Sequence, residues 1–285
     1  MQHPEKWRDT SDPFSLPYRH ITLKKILGYP HAGNDVFQAI ALYQQQEVEV
    51  FIKVARQIGA DIRNEIDTIE ALGWELAPQI LDYDAKKERF LVTLARKGER
   101  LSWLLSQGII RSAREYLFEY GQTLATLHSW KGAWQPVKDR RFFHIRDRSF
   151  FEQNQLEAVY RYLTVCQPQE IHRCFCHGDF HYANILWEDR HISAVLDFEL
   201  SGLGNKEFDI AWTLILRPGQ QFLTTPEEIG LFLAGYSSRG SFDPEYVRYY
   251  MALIYTYFYD IGRDTPGYQA HIRQFFQETC RIPIP

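Results

Sequence analysis

Residues 174–211 read CFCHGDFHYANILWEDRHISAVLDFELSGLGNKEFDIA, and ionisable side chains concentrate there between apolar runs. Ile185-Leu186-Trp187 and the run from Ile192 to Leu196 flank EDRH, a turn-like composition, so the spacing predicts a hairpin. Centred between Arg190 and His191, that hairpin sets Asn184 opposite Asp197. A carboxamide beside a carboxylate supplies hard oxygen donors of the kind that hold Mg²⁺ together with substrate phosphates. Asp179 lies five residues before Asn184, in a loop that can curl over the same point. Taken singly, each of these residues is an ordinary turn former. Their ordered spacing behind His177-Gly178 is what points to chemistry.

Phosphoryl transfer needs a metal on the phosphates, a carboxylate for the acceptor hydroxyl proton, and a cation on the nucleotide. Asp179 suits the base, and Asn184 with Asp197 the metal. Working outward, Lys53 ends the apolar strand EVEVFIKVA, and Glu65 sits between Ile62 and Ile66 on a predicted helix. A Lys–Glu pair between a strand and a helix is how kinases orient the lysine. The turn-rich stretch GYPHAGND (28–35), with Gly33 and Asn34, is then the loop over the phosphates. The bland alternative leaves Lys53 as a solvated strand end and Glu65 as a surface residue.

HGDFHYANILW, VLDFE and GNKEFDIA together resemble the aminoglycoside phosphotransferase / choline kinase family, relatives of the protein kinases. NEIDTIEAL around Glu65 and YGQTLATLH at 120–128 match family patterns as well, so the likeness covers most of residues 28–211. It implies a protein-kinase-like bilobal α+β fold with a small β-rich N-terminal lobe and a larger, mainly helical C-terminal lobe. It implies Asp179 as the base, Asn184 and Asp197 as metal ligands, and Asp209 as a brace of the catalytic loop, with His177 shaping that loop. ATP, with GTP as the alternative donor, and Mg²⁺ are the implied cofactors, and the nucleotide base is expected near Leu94 to Arg96. The acceptor is expected to be a small hydroxyl-bearing molecule. The rival is a catalytically silent kinase-fold scaffold or nucleotide sensor.

The surrounding pattern agrees with a two-lobe layout, which implies a cleft. Residues 1–20 carry mixed charge without a period and read as a loose arm; 1–95 then form the nucleotide-binding lobe and 96–285 the catalytic and acceptor lobe. Val36 to Leu42 and Val48 to Val54 predict a hairpin, and Ile80 to Tyr83 and Arg89 to Thr93 two more strands. Ile62, Ile66, Ile69 and Leu72 recur at helical spacing behind Asp61, a plausible N-cap. Helices are also expected at 112–128 with Ser112 as cap, at 149–164, after Thr225-Pro226, after Asp243-Pro244, and at 268–280. In the penultimate helix, positions 250, 254, 257, 258 and 261 share one face and are expected to pack inward. Aromatics there, with Asp260 and Asp264, would suit an amine-bearing acceptor.

Composition removes other classes. The chain has 285 residues, 45% hydrophobic and 24% charged, with 32 Lys+Arg against 36 Asp+Glu for a net charge of −4. That balance argues against nucleic-acid binding through a bulk basic surface. The apolar run from Tyr249 to Tyr259 is too short for a bilayer, which takes about 20 residues, and the N-terminus lacks a signal-peptide core. Four cysteines and no Asn-x-Ser/Thr site favour a reduced, cytoplasmic setting and no membrane role. Cys174-x-Cys176 lacks a second pair for zinc, and His177-x-Asp179-x-His181 lacks further ligands for a metallohydrolase. Gly202-x-Gly204 misses the dinucleotide pattern, and no Gly-Lys exists for a Walker A loop.

Overall fold

The computed structural model describes residues 11–30, 33–56 and 59–280. They form two compact units. The first comprises residues 1–98 together with 186–188 and 193–200; the second holds 99–185, 189–192 and 201–285. The chain therefore revisits the first unit at a point that no composition boundary marks.

The first unit is built on an antiparallel sheet of strands β1 (Ile21–Gly28), β2 (Asp35–Tyr43), β3 (Gln46–Val54), β4 (Ile80–Tyr83) and β5 (Phe90–Leu94), in the order β1-β2-β3-β5-β4. β2 and β3 pair in full register from Asp35↔Val54 to Tyr43↔Gln46. Gln44 and Gln45, both at positive φ, close them in a two-residue turn whose twist suits a hairpin. Period-two alternation sends Phe37, Ala39, Ala41, Val50, Ile52 and Val54 into one buried layer with Phe90 and Val92. Lys53 falls on the opposite face, paired across the ladder with Leu91. That face is covered by helix α1 (Ile62–Leu72), whose Ile62 and Ile66 pack on Leu91. Asp61 caps α1 by accepting from the Asn64 N–H at 3.0 Å.

Residues 11–20 are not a loose arm; the expectation there rested on missing periodicity. The backbone N–H groups of Arg19 and His20 both donate to Asp82 Oδ2 at 2.7 Å. Tyr18 lies edge-on to Phe90 with ring centroids 5.2 Å apart, and the Ser11 N–H donates to Asp35. Residues 1–10 of the expected arm lie outside the described residues.

The second unit is mainly helical: α2 (Leu101–Ser106), α3 (Arg114–His128), α4 (Arg148–Gln153), α5 (Glu157–Val165), α6 (Lys206–Leu214), α7 (Pro226–Ser237), α8 (Pro244–Ile261) and α9 (Tyr268–Cys280). Strands β6 (Arg173–Cys176) and β9 (Gly202–Asn205) pair antiparallel; β7 (Ile185–Glu188) and β8 (His191–Val195) form a separate ribbon, most of which belongs to the first unit. Among the described residues no helix is long and apolar enough to cross a membrane. The helices α3 and α7 cross at close quarters because Gly121 and Gly235 face backbone: a Cβ at Gly121 would lie 1.9 Å from Phe232 O, and one at Gly235 1.9 Å from Phe118 O.

Three helical expectations are corrected. The single helix at 149–164 is two, α4 and α5, because Gln155 adopts φ 56° and the Asn154 side chain caps the Phe150 carbonyl at 2.7 Å. α3 starts at Arg114 behind Ala113, with the Ser112 hydroxyl accepting from the Arg114 N–H at 3.2 Å. α8 is buried on most of its circumference, including Tyr249, Leu253, Tyr255 and Tyr259, while Ile261 on the expected inward face is 50% exposed. An apolar face covered from several sides leaves no single-face periodicity to read.

Candidate active site

In the first unit Lys53 is the centre. Its Nζ lies 2.7 Å from Glu65 Oε2, 2.7 Å from Asp197 Oδ1 and 2.7 Å from Glu199 Oε2. Strand alternation aims Lys53 at α1, and the helical repeat places Glu65 on the same buried face as Ile62 and Ile66. Burial opposes the charge on Lys53, yet the three carboxylates outweigh it and hold the ammonium well above its ordinary range. One cation shared by three acids leaves negative charge in excess. Burial, then Asp197 and Glu199, accordingly push the Glu65 carboxyl upward against the pull of Lys53.

Glu199, two residues beyond Asp197, was absent from the sequence expectations; the i, i+2 spacing of two acids was its only signal. Its carboxylate and its carbonyl bind three partners besides Lys53. Its Oε2 accepts from Asn34 Nδ2 at 2.9 Å and its Oε1 from the Asp61 N–H at 2.9 Å, while its carbonyl accepts from Asn64 Nδ2 at 3.0 Å. Glu199 thus ties the loop before β2, the start of α1 and Lys53 to one short segment. Asp197 holds φ 66°, a left-handed conformation that Asp tolerates better than most residues, just after β8.

The second unit holds the other half of the expected set. The segment after β6 is braced by Asp209 on α6: Oδ2 accepts from the His177 N–H at 2.9 Å and Oδ1 from the Gly178 N–H at 3.0 Å. His128 Nε2 lies 3.1 Å from the same Asp209 oxygen, and its Nδ1 lies 2.7 Å from the Tyr236 hydroxyl. His177 is fully buried, its Nδ1 accepting from the Asp179 N–H at 3.3 Å. The Asp179 carboxylate then receives Trp212 Nε1 on Oδ1 at 2.7 Å and Asn184 Nδ2 on Oδ2 at 3.2 Å. Asn184 Nδ2 also donates to the Asp179 carbonyl at 3.0 Å. Burial would raise the Asp179 carboxyl, but the His181 hydrogen bond and charge, with Arg217 and His177, hold it down to about 2.

The remaining expectations fall as follows. Gly33 is half-buried at φ 100°, and Asn34 accepts from the Arg56 N–H at 3.2 Å; His31 and Ala32 of that loop lie outside the described residues. Leu94 closes β5 opposite Val50, and Arg96 donates to the Ser193 carbonyl at 2.6 Å. Asp260 is engaged by Arg146 at 2.8 Å and Arg263 at 2.7 Å, whereas Asp264 is exposed in the turn after α8. The ribbon turns at Asp189-Arg190, both at positive φ, one position earlier than expected, and Asp197 lies two residues past its end. His128 joins Cys174 and Cys176 in one cluster, with both its ring nitrogens engaged by Tyr236 and Asp209.

Residues 46–250 match the phosphotransferase enzyme family, 205 of the 285 positions by subtraction. No curated protein matches the chain. Among solved structures the chain is similar to choline kinase from Cryptosporidium parvum Iowa II, at 14% identity over 92% of this chain and 90% of that one, with a TM-score of 0.59. It is similar to APH(2")-IIa in a ternary complex with streptomycin and ATP, at 19% identity, 88% and 91% coverage and a TM-score of 0.58. Amicoumacin kinase hAmiN in complex with AMP-PNP, Ca²⁺ and its antibiotic follows at 16% identity, 94% and 91% coverage and a TM-score of 0.56. At such identities the likeness shows a shared protein-kinase-like α+β fold.

Proposed function

The chain belongs to the phosphotransferase enzyme family, and from that premise we propose that it transfers the γ-phosphoryl of ATP, with GTP as the alternative donor, to a hydroxyl of a small molecule. The observation that supports this reading most is Lys53 held at 2.7 Å by Glu65, with Asp197 at the same distance. Lys53, oriented by Glu65, takes the α- and β-phosphates, and the loop with Gly33 and Asn34 covers them. Leu94 to Arg96 meet the nucleotide base. Asp197 and the carboxamide oxygen of Asn184 are hard oxygen donors that suit Mg²⁺, whose role when bound is to neutralise charge on the phosphate oxygens.

Asp179 orients the acceptor hydroxyl and takes its proton. Held near a pKa of 2, it is ionised at every ordinary pH and is a weak base. That suits a loose phosphoryl-transfer transition state, in which positioning outweighs proton abstraction and the proton leaves late. Asp209 fixes the loop without touching reactants, and Trp212 and Asn184 lock the two oxygens of Asp179 in place.

The test is coupled ADP release across hydroxyl acceptors, with thermal-shift titration of Mg-ATP on the same samples. Asp179→Ala is expected to abolish transfer while keeping nucleotide binding; Asp197→Ala is expected to weaken Mg-ATP binding as well. Turnover by Asp179→Ala at the wild-type rate would overturn the assignment. Mg-ATP binding with no turnover on any acceptor would favour a scaffold in its place.

A further inference from the structure

The surroundings of Asp179 in the second unit are cationic. Arg140 and Arg217 flank Trp212, the residue that donates to Asp179 Oδ1: their guanidinium carbons lie 5.0 and 5.2 Å from the Trp212 ring centroid. Arg141 lies 5.0 Å over Phe142, whose ring meets Trp212 edge-on at 4.9 Å. Among the described residues no carboxylate lies within 4.0 Å of any of these three guanidinium groups. Arg217 is only 9% exposed. What holds them is backbone carbonyl: Arg140 donates to Gly178 O at 2.5 Å, and Arg217 to Trp212 O at 3.0 Å and Ile215 O at 3.4 Å. Carbonyls orient a guanidinium fork without neutralising it, and the charge of Asp179, which reaches both Arg140 and Arg217, is shared between the two. The acid expected to receive an amine, Asp260, is already neutralised by two arginines.

Resting on the phosphotransferase reading, we propose that the acceptor alcohol carries an anionic oxygen group, carboxylate or phosphate ester, bound by Arg140 and Arg217 beside Trp212, with Arg141 at the exposed rim. Planar guanidinium forks match both oxyanions bidentately, and the Trp212 and Phe142 rings supply an apolar wall for the carbon skeleton. Binding the anion there directs the hydroxyl end to Asp179, to which Trp212 is itself hydrogen-bonded. The same positive field disfavours an ammonium-bearing acceptor.

The experiment is calorimetric titration of the protein preloaded with Mg-AMP-PNP, using D-glycerate, glycerol 3-phosphate and choline as probes, at low and raised salt. At least one anion is expected to bind, more weakly as salt rises, while choline does not. Glycerate alone identifies a carboxylate source and glycerol 3-phosphate alone a phosphate source. Arg140→Gln and Arg217→Gln are expected to weaken the bound anion about tenfold or more, and Arg140→Lys to restore only part, since the bidentate fork is lost. Arg141→Gln alters an exposed side chain, so it keeps the test open if Arg217→Gln does not fold by circular dichroism; about a threefold loss is expected. Binding of choline with neither anion, silence of both anions, or unchanged anion affinity in all the glutamine variants would overturn the proposal. Failure of Mg-AMP-PNP to load is a separate outcome that removes the phosphotransferase reading itself.

Discussion

At the scale of single residues, Lys53 and Glu199 carry unequal shares of one network. Among the described residues Lys53 is the only cation within 4.0 Å of Glu65, Asp197 and Glu199, so Lys53→Met leaves three acids without a counter-charge. Breaking a buried ion pair from one side costs about 3–5 kcal/mol. Glu199→Ala removes three charge-assisted contacts but also relieves repulsion with Asp197. It is expected to cost less, about 1–3 kcal/mol, and to raise KM for ATP more than it lowers kcat. Urea unfolding of the two variants checks the order, and a costlier Glu199→Ala would contradict it. Asp179 gives a pH signature. Its folded pKa, about 2, lies below the ordinary 3.8, so its contribution to stability is present above the ordinary value and lost as pH falls through about 2. Asp179→Asn lacks that contribution. The stability gap between wild type and variant should therefore narrow as pH drops through that window, as read by urea titrations at each pH.

Elements impose their own constraints. The crossing of α3 and α7 depends on two glycines that face backbone atoms, which cannot rotate aside as a side chain tip can. Gly121→Ala is expected to force the helices apart at a cost of about 1–3 kcal/mol or more. Because His128 on α3 and Tyr236 on α7 both lie in the chain leading to Asp209, that variant should also lose activity. Gly230→Ala, on α7 with open space at its Cβ, is the matched control and should leave stability unchanged or raised. Thermal melts of the pair decide it; equal destabilisation would mean that the crossing does not set the cost. The elements themselves were mostly legible. Apolar alternation marks β2 and β3, and Asp61, Thr225 and Asp243 announce their helices through side-chain caps. Where a side-chain N-cap is absent, as for α3 and α5, the boundary depends on backbone conformations that composition does not encode.

For the molecule as a whole, the consequence of a nucleotide site is linkage. A ligand that binds only the folded chain stabilises it by about 2.7 kcal/mol at a hundred times its dissociation constant. Mg-ATP should accordingly raise the melting temperature of the wild type, and Lys53→Met and Asp197→Ala should blunt that rise. Mg²⁺ without nucleotide should give a smaller shift, because phosphates complete the ligand set. A rise in Asp197→Ala equal to that in the wild type would speak against the metal assignment.

What the linear chain determined was everything carried by local spacing: the strands and helices around residues 36–94, the polar segment at 174–211, Lys53 at the end of its strand, and Glu65 near the inward face of its helix. Those follow from periods of two and 3.6, which any short window of sequence displays. Tertiary structure alone decided that Glu199 would complete the Lys53 cluster, that Arg19 and His20 would dock on Asp82, and that Trp212 would lie between Asp179 and the guanidinium of Arg140. Each joins residues tens to more than a hundred positions apart, through hydrogen bonds and charges whose strength depends on burial and distance, and neither quantity exists until the chain has folded.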